Sequence, residues 1–366
     1  MRVLQICHCY YPPFLDCARQ YAALFKGTPY KILTVYLTGE PSVEVAQASA
    51  SDEVIFLGFK SSEVGGLKLN AIAKIRQIVA KEQFLFCIAH RAKPTYVALL
   101  ATRLPVISVH HNYNDFSRFS RRILVNFYQH RLLMLGVSDS VRDDMRHDLK
   151  NWDPERILTL YNRIDVEATQ AKFLSKLSAR QFLGLPENAW IVGNVGRLHH
   201  DKDQATLIRG FAKALPQLPE ISLLVIMGSG PLEQDLKRLV ESLNVGGKVI
   251  FTGQVPDGKQ YFKAFDVFAL TSDREPFGMV LLEAMAAELP LICSDCGGGA
   301  EVVQGVGELF AFGDADALGN GLIQSHQKKD FSHTTSALQK LHDIFSDQAA
   351  RKRFWSLPFV NSMISK

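Results

Sequence analysis

The stretch WIVGNVGRLHHDK, residues 190–202, decides the fold: an apolar run, Trp190–Val195, stops on Gly196 and is followed by two cations, Arg197 and Lys202. The run is short and rich in β-branched residues, so it reads as a strand. Downstream, 205–214 reads as a helix, 222–227 as a strand and 231–242 as a helix with an acidic first turn. Residues 249–253, 267–270 and 290–294 read as strands, with a helix over 280–287 between the last two. Short apolar runs alternating with amphipathic stretches predict a parallel sheet flanked by helices.

Upstream of residue 190 the same alternation has already occurred once. Strands are predicted over 1–7, 31–37, 54–57, 84–89, 105–109 and 132–137, with helices over 17–25, 67–80, 95–102 and from 138. The polar stretch 162–181 reads as the connection between two arrays. The expected fold class is therefore α/β with two Rossmann-like domains, residues 1–162 and 163–346, and a basic amphipathic tail, 347–366, that returns to the first. A length of 366 residues suits two domains. Ligands of such sheets sit at the carboxyl ends of strands, so both halves are expected to aim their loops at one cleft.

Composition narrows the function classes. Hydrophobic residues make up 47% and charged residues 21%, as in an ordinary globular protein, and a net charge of +4 does not call for nucleic acid. The charge is uneven: residues 1–162 hold 20 Lys and Arg against 14 Asp and Glu, the remainder 21 against 23. The basic first half suggests an acidic partner there. Cys293 and Cys296 form a lone C-x-x-C, and Cys7 and Cys9 flank His8. A zinc site needs about four converging ligands, so reduced, buried thiols and no metal are expected. The apolar run 3–10 lacks a cleavage site and no apolar run reaches about 18 residues, so the expected location is the cytoplasm, with peripheral contact to the inner face of the cytoplasmic membrane.

Three loops of the second half carry the chemistry. Arg197 and Lys202 place a fork and a point charge just past a strand end, suited to a diphosphate. Gly228, Ser229 and Gly230 precede a helix, and glycines there permit close approach of a ligand. The segment Glu275 to Glu283, EPFGMVLLE, opens a loop into a helix. The amides near Phe277, Gly278 and Met279 are then helix N-terminal donors suited to phosphate. Glu275 lies just outside that helix. Glu283 lies more than a turn inside, in an otherwise apolar stretch that solvation explains poorly. A carboxylate accepts hydrogen bonds from two adjacent hydroxyls, which suits a sugar or a ribose.

The segment 275–283 resembles the E-x7-E motif of retaining glycosyltransferases of the GT-B fold, of the family-four (group 1) type that includes bacterial lipopolysaccharide and surface-glycan enzymes. Gly196-Arg197 with Lys202, Gly228-Ser229-Gly230, residues 249–253, 294–301, Gly136-Val137-Ser138 and Asn162 to Asp165 resemble that family's other motifs, in order and at its separations. The resemblance is dense from about residue 136 to 313. Earlier, only the first strand, Pro12-Pro13 and His110-His111 fit.

The resemblance implies that Arg197 and Lys202 hold the donor diphosphate and stabilise the departing nucleotide. It implies that Glu275 contacts the transferred sugar, that Glu283 binds the ribose hydroxyls, and that Gly196, Gly228, Gly230, Phe277, Gly278 and Met279 line the donor. Gly253 and Gln254 lie where the base would stack. A histidine after a first-half strand is implied near the reacting sugar carbon; His110 and His111 both fit, and His111 is preferred. The implied partners are a nucleotide-diphosphate sugar and a glycan or lipid-linked acceptor, without a divalent metal or other cofactor; Asp201-Lys202-Asp203 fits a D-x-D pattern only in its letters. Retention of configuration is carried over from the family.

Two departures stand out. Where the family often has Gly-Gly after its first strand, this chain has the bulkier 10–17 stretch, YYPPFLDC, and Arg163 replaces the family's hinge glycine. Arg163 reads as a surface residue in a rearranged hinge. Arg118, Arg121 and Arg122 recur at helical spacing beside Phe116 and Phe119, a face suited to a phosphorylated lipid-linked sugar or an anionic membrane surface. The rival readings are a sugar-nucleotide epimerase of similar architecture and a non-catalytic nucleotide-sugar-binding protein.

Overall fold

The computed structural model describes residues 1–11, 14–328 and 332–364. Pro12 and Pro13, on which part of the resemblance rests, and the last two residues of the tail lie outside the described residues. The chain divides into two compact units, Met1–Asn162 with Asp347–Lys366, and Arg163–Ser346. The solution is α/β in both.

The first unit holds seven strands: β1 (Arg2–Cys7), β2 (Lys31–Thr38), β3 (Glu53–Phe59), β4 (Phe84–His90), β5 (Val106–His110), β6 (Leu132–Gly136) and β7 (Ile157–Thr159). They lie in the order β3-β2-β1-β4-β5-β6-β7, every pair parallel. Runs such as Leu132–Leu135 are buried throughout, as strands covered by helices on both faces require. Leu4, Val35, Cys87, Val106 and Met134 lie in one continuous core. The last two helices, Asp347–Ser356 and Pro358–Ile364, belong to this unit. Phe354 is fully buried against Phe25 and Phe86, Trp355 donates to the Leu24 carbonyl at 2.9 Å, and Asp347 pairs with Arg19 at 3.0 Å.

The second unit holds β8 (Trp190–Val195), β9 (Ser222–Met227), β10 (Val249–Gly253), β11 (Val267–Leu270), β12 (Leu291–Ser294) and β13 (Glu308–Phe310), in the order β10-β9-β8-β11-β12-β13. In both sheets the order reverses beside the first strand, between β1 and β4 and between β8 and β11. At such a point neighbouring loops diverge and leave a crevice.

Strands β7 and β13 escaped the sequence reading because each is three residues long at a sheet edge, too short for a period to show. Arg163 is a clear correction: it is fully buried at 0% exposure. Its neighbour Ile164 donates to the Phe345 carbonyl at 3.1 Å and bridges Ser346, which carries this stretch through the interior of its unit. The arginine face is corrected too. Phe116 is buried under the helix Phe119–Phe127, and Arg121 turns to Asp115. Phe119, Ile123 and Phe127 stand outward at 69%, 53% and 73% exposure, an i, i+4, i+8 stripe.

Asp266 organises the interior end of β11. Its carboxylate accepts from Arg180 Nη2 at 2.7 Å, from the Ile191 amide at 2.7 Å and from Lys176 Nζ at 2.5 Å. Arg180 is almost completely buried. Removing the anion strands a buried cation, which costs roughly 3–5 kcal/mol. Asp266→Ala is expected to destabilise the second unit by about that amount in urea unfolding.

Candidate functional site

The second unit's site grows from the loops after β8 and β11. Thr271 donates its hydroxyl to the Lys202 carbonyl at 2.8 Å, and the Asp273 amide donates to the Asp201 carbonyl at 3.1 Å. These bonds stitch the two loops together across the switch point. Lys202 Nζ then meets Glu275 Oε2 at 2.6 Å, with side chains only 17% and 12% exposed. Ser272 donates to the same carboxylate oxygen at 3.2 Å, and Ser294 donates to the Ser272 carbonyl at 2.5 Å. The Gly298 amide donates to the Glu275 carbonyl at 2.8 Å. The glutamate is thereby fixed at backbone and side chain.

A second feature, a cavity of ≈ 540 Å³, opens among Gly196, Arg197, Gly228, Gln254, Lys259 and Glu283. Two glycines make its wall. Gly228 has φ +143°, and a Cβ there would stand 1.9 Å from the Gly196 carbonyl oxygen; one at Gly230 would stand 2.3 Å from the Leu198 carbonyl oxygen. Glu283 projects from the helix Met279–Ala286 with its side chain 16% exposed, 3.8 Å from Lys259 Nζ. A carboxylate at a cavity wall can accept hydrogen bonds from adjacent hydroxyls of a ligand.

The structure thus gathers Gly196, Arg197, Gly228, Gln254 and Glu283 around one cavity and sets Lys202 against Glu275. Gly230 and Gly253 support the walls: Gly253 turns at φ +68° and its carbonyl accepts from the Gly228 amide at 2.9 Å. Gly278 caps the Met279–Ala286 helix in the left-handed region, and the neighbouring Phe277 ring is buried against Phe345. Arg197 and Lys202 differ in setting. Arg197 is 73% exposed, 3.6 Å from Asp201, whereas Lys202 is largely buried. Burial pushes the Asp201 carboxyl up, but the His199 hydrogen bond, Lys202 and Arg197 outweigh it and hold it below its ordinary value. Lys259 and Ser272 were not singled out in the sequence, and Ser294 entered only as the last residue of a predicted strand and the first of the 294–301 segment. Lys259 sits in the polar turn after β10, and the two serines follow the ends of β11 and β12, which is the signal that could have found them.

In the first unit the two histidines separate. His110 is fully buried between Ser108 at 2.8 Å and Asp115 at 2.7 Å, so it serves an interior network. His111 is half-buried, with Nε2 3.3 Å from His90 Nδ1 and Nδ1 3.6 Å from Cys17 Sγ. Gln5 settles the tautomers of the neutral rings. Its Nε2 faces the Ala18 carbonyl at 3.2 Å, so its Oε1 faces His90 Nε2 at 3.3 Å and must accept. With both rings neutral, His90 would carry its proton on Nε2, His111 would donate from Nε2, and His111 Nδ1 would accept from the Cys17 thiol. Among the described residues, no three His, Cys, Asp or Glu side chains gather as a metal site, and no helix is long and apolar enough to cross a membrane.

Residues 175–337, most of the second unit, match the family described as Glycosyl transferases group 1, and the chain has the GT-B fold. Among relatives, the chain is 29% identical to N-acetylgalactosamine-N,N'-diacetylbacillosaminyl-diphospho-undecaprenol 4-alpha-N-acetylgalactosaminyltransferase of Campylobacter jejuni, over 61% of each chain. It is 30% identical to a lipopolysaccharide core biosynthesis mannosyltransferase of Rhizobium meliloti, over 41% of this chain and 40% of that one. The matches thus span less than two thirds of either relative's length. In fold it is similar to Anabaena HepE in complex with UDP, with TM-score 0.80, 22% identity and full coverage of both chains.

The Asp115 carboxyl is raised by burial but lowered further by its His110 hydrogen bond, His110 charge, Arg121 and Arg91, so it lies below its ordinary value. A depressed folded value stabilises above the unfolded one, about 3.9, and that contribution is lost as pH falls through the folded value. Asp115→Ala is expected to cost about 1–3 kcal/mol in equilibrium unfolding near neutrality. The gap from the wild type should narrow as pH drops below about 4.

Proposed function

We propose that this chain is a retaining glycosyltransferase that moves a hexose-type sugar from a nucleotide-diphosphate donor to a glycan or lipid-linked acceptor, in the assembly of a lipopolysaccharide core or other surface glycan. The observation that carries the reading is the pairing of two features on one sheet edge: the Lys202–Glu275 contact at the β8/β11 switch, and the cavity that ends on Glu283. Glycosyl transfer needs a cation where the diphosphate departs and a carboxylate where positive charge grows on the sugar. Lys202 and Glu275 supply both, already oriented, which lowers the reorganisation cost. Glu283 and Gln254 suit the ribose and base of the donor. His111 remains the first unit's candidate for contact with the transferred sugar. No divalent metal is required by this scheme, since Lys202 and Arg197 carry the charge that a metal otherwise would.

The comparisons favour the same chemistry. Anabaena HepE, of the same fold, is known in complex with UDP and with UDP-glucose, and the Campylobacter relative is named for a diphospho-undecaprenol-linked acceptor. A membrane-side acceptor fits the outward stripe of Phe119, Ile123 and Phe127, flanked by Arg118 and Arg122. Such a stripe with a basic margin lies well at an anionic interface.

Transfer assays with UDP-, GDP- and ADP-sugars test the reading. Lys202→Ala and Glu275→Ala are each expected to lower turnover about 100-fold or more with unchanged circular dichroism. Glu283→Ala should mainly raise the donor KM, about tenfold for a lost interaction near 1.4 kcal/mol. Near-wild-type turnover in either of the first two would sink the assignment. Flotation with anionic vesicles at low salt should carry the wild type upward. A Phe119→Ser/Phe127→Ser double variant should stay at the bottom, and equal flotation of both would remove the membrane clause.

A further inference from the structure

The first unit contains a cavity that differs from the second unit's in having more cations and no lining carboxylate. It measures ≈ 560 Å³ and lies between the 65–68 turn, the start of the helix Ala92–Ala101 and the helix Phe119–Phe127. Its wall is apolar: Leu67, Phe116, Ile123, Leu124 and Val125 all face it. Four cations nevertheless share the lining, Lys68, Lys93, Arg118 and Arg121, and no Asp or Glu is among the described lining residues. Arg121 pairs with Asp115 at 3.4 Å, and Lys68 Nζ donates to the Gly66 carbonyl at 2.6 Å. Lys68 leans over the Tyr96 ring, 4.6 Å from its centroid. Burial, then the positive charges of Lys93 and Arg121, depress its ammonium below the ordinary lysine value. These cations therefore feel one another, and an anion among them would relieve the repulsion.

The combination restricts the occupant. Thr95, Tyr96, Ser120 and His110 add hydroxyls and an imidazole to the wall, but it has no carboxylate to clamp the hydroxyl pairs of a neutral sugar. A divalent cation would be repelled. A purely apolar ligand gives no reason for four cations, and a free inorganic anion gives no reason for the apolar wall. A molecule with a phosphate head and an aliphatic body satisfies both parts: charge-assisted hydrogen bonds at one end and apolar burial at the other. The volume is ordinary for a small-molecule site. Leu67 at 67% and Ile123 at 53% exposure continue the apolar surface outward, so a longer chain could leave the cavity without meeting a polar rim.

We propose that this cavity binds the phosphorylated end of an aliphatic lipid carrier, which makes it the acceptor site of the chain. The inference rests on the acceptor reading above and narrows it from glycan or lipid-linked to a lipid phosphate or diphosphate.

Isothermal titration of the full chain with farnesyl diphosphate tests it, with farnesol and inorganic pyrophosphate as the two half-ligands. Farnesyl diphosphate should bind at least about 30-fold more tightly than either half, the two halves contributing jointly. Lys68→Gln and Lys93→Gln should each weaken it about tenfold. Ile123→Asp, which places an anion in the apolar wall, should weaken it at least as much. UDP should neither compete nor lose affinity in any of these variants, since none of them touches the donor cavity. Phe127→Ser, which lies on the outward stripe and not in the lining, should leave farnesyl diphosphate binding unchanged while reducing vesicle flotation, which separates the cavity from the bilayer surface.

The proposal is overturned if pyrophosphate binds as tightly as farnesyl diphosphate, if the three variants bind it like the wild type, or if UDP displaces it. Binding with the expected variant pattern, but no glycosyl transfer to any lipid phosphate, would uphold the site and sink the acceptor reading. Transfer to a soluble glycan with no binding of farnesyl diphosphate would sink the site and leave the transferase reading standing.

Discussion

The arrangement of the second unit depends on one contact, the 2.6 Å pair of Lys202 and Glu275. It exists because β8 and β11 are neighbours in a sheet whose order reverses beside β8, so two loops far apart in sequence leave the same edge. Each partner is held by groups beyond the pair: Thr271 and Asp273 grip the loop that carries Lys202, and Ser272 and Gly298 grip Glu275. A largely buried ion pair cannot lose one member cheaply. The two charges therefore stand as a unit, and on the proposed reading a donor phosphate would compete with Glu275 for the ammonium. That competition would free the carboxylate toward the sugar at the moment the phosphate arrives.

The alternation of apolar runs with amphipathic stretches made both sheets legible in the sequence, because strands buried on both faces cannot hide their composition. The spacing of Glu275 and Glu283 was legible for a similar reason. Eight residues carry the chain from a loop into a helix interior, where a carboxylate among Leu281, Leu282 and Ala284 has no solvent to explain it. What the pattern could not convey was the setting of each charge. Arg197 and Lys202 look equivalent five residues apart, yet the 3-10 turn His200–Lys202 sends one outward and the other inward. Arg163 looked like a surface residue because long-range pairing of Ile164 with residues 345 and 346, invisible locally, decides its burial. His110 and His111 are adjacent in sequence, and strand alternation points them to different surroundings.

Much of the first unit's positive charge is structural. Arg2 pairs with Glu53 and Glu82, Arg19 with Asp16 and Asp347, and Arg142 with Asp139 and Asp143. Arg131, Arg146 and Arg156 donate to backbone carbonyls that close strand ends. Guanidinium groups suit that work because several fixed donors reach several acceptors at once. With these cations accounted for, the uneven charge of the chain stops being a diffuse property of a surface. One cluster of it, Lys68, Lys93, Arg118 and Arg121, lines a cavity without a lining carboxylate.

The two cavities therefore divide the chemistry by polarity. In the second unit, Glu283 beside Lys259 and Arg197 gives a mixed-charge wall suited to hydroxyls and a diphosphate. In the first, cations over an apolar wall admit an anion only if it brings hydrocarbon with it. The second unit's cavity offers Glu283 to hydroxyls, whereas the first unit's offers no carboxylate and a longer apolar wall. On the two proposed assignments, each cavity would reject the other's ligand by what it leaves unsatisfied, which is a stronger discrimination than a difference in fit. Two substrates that both carry phosphate would then be told apart without any residue that recognises phosphate differently.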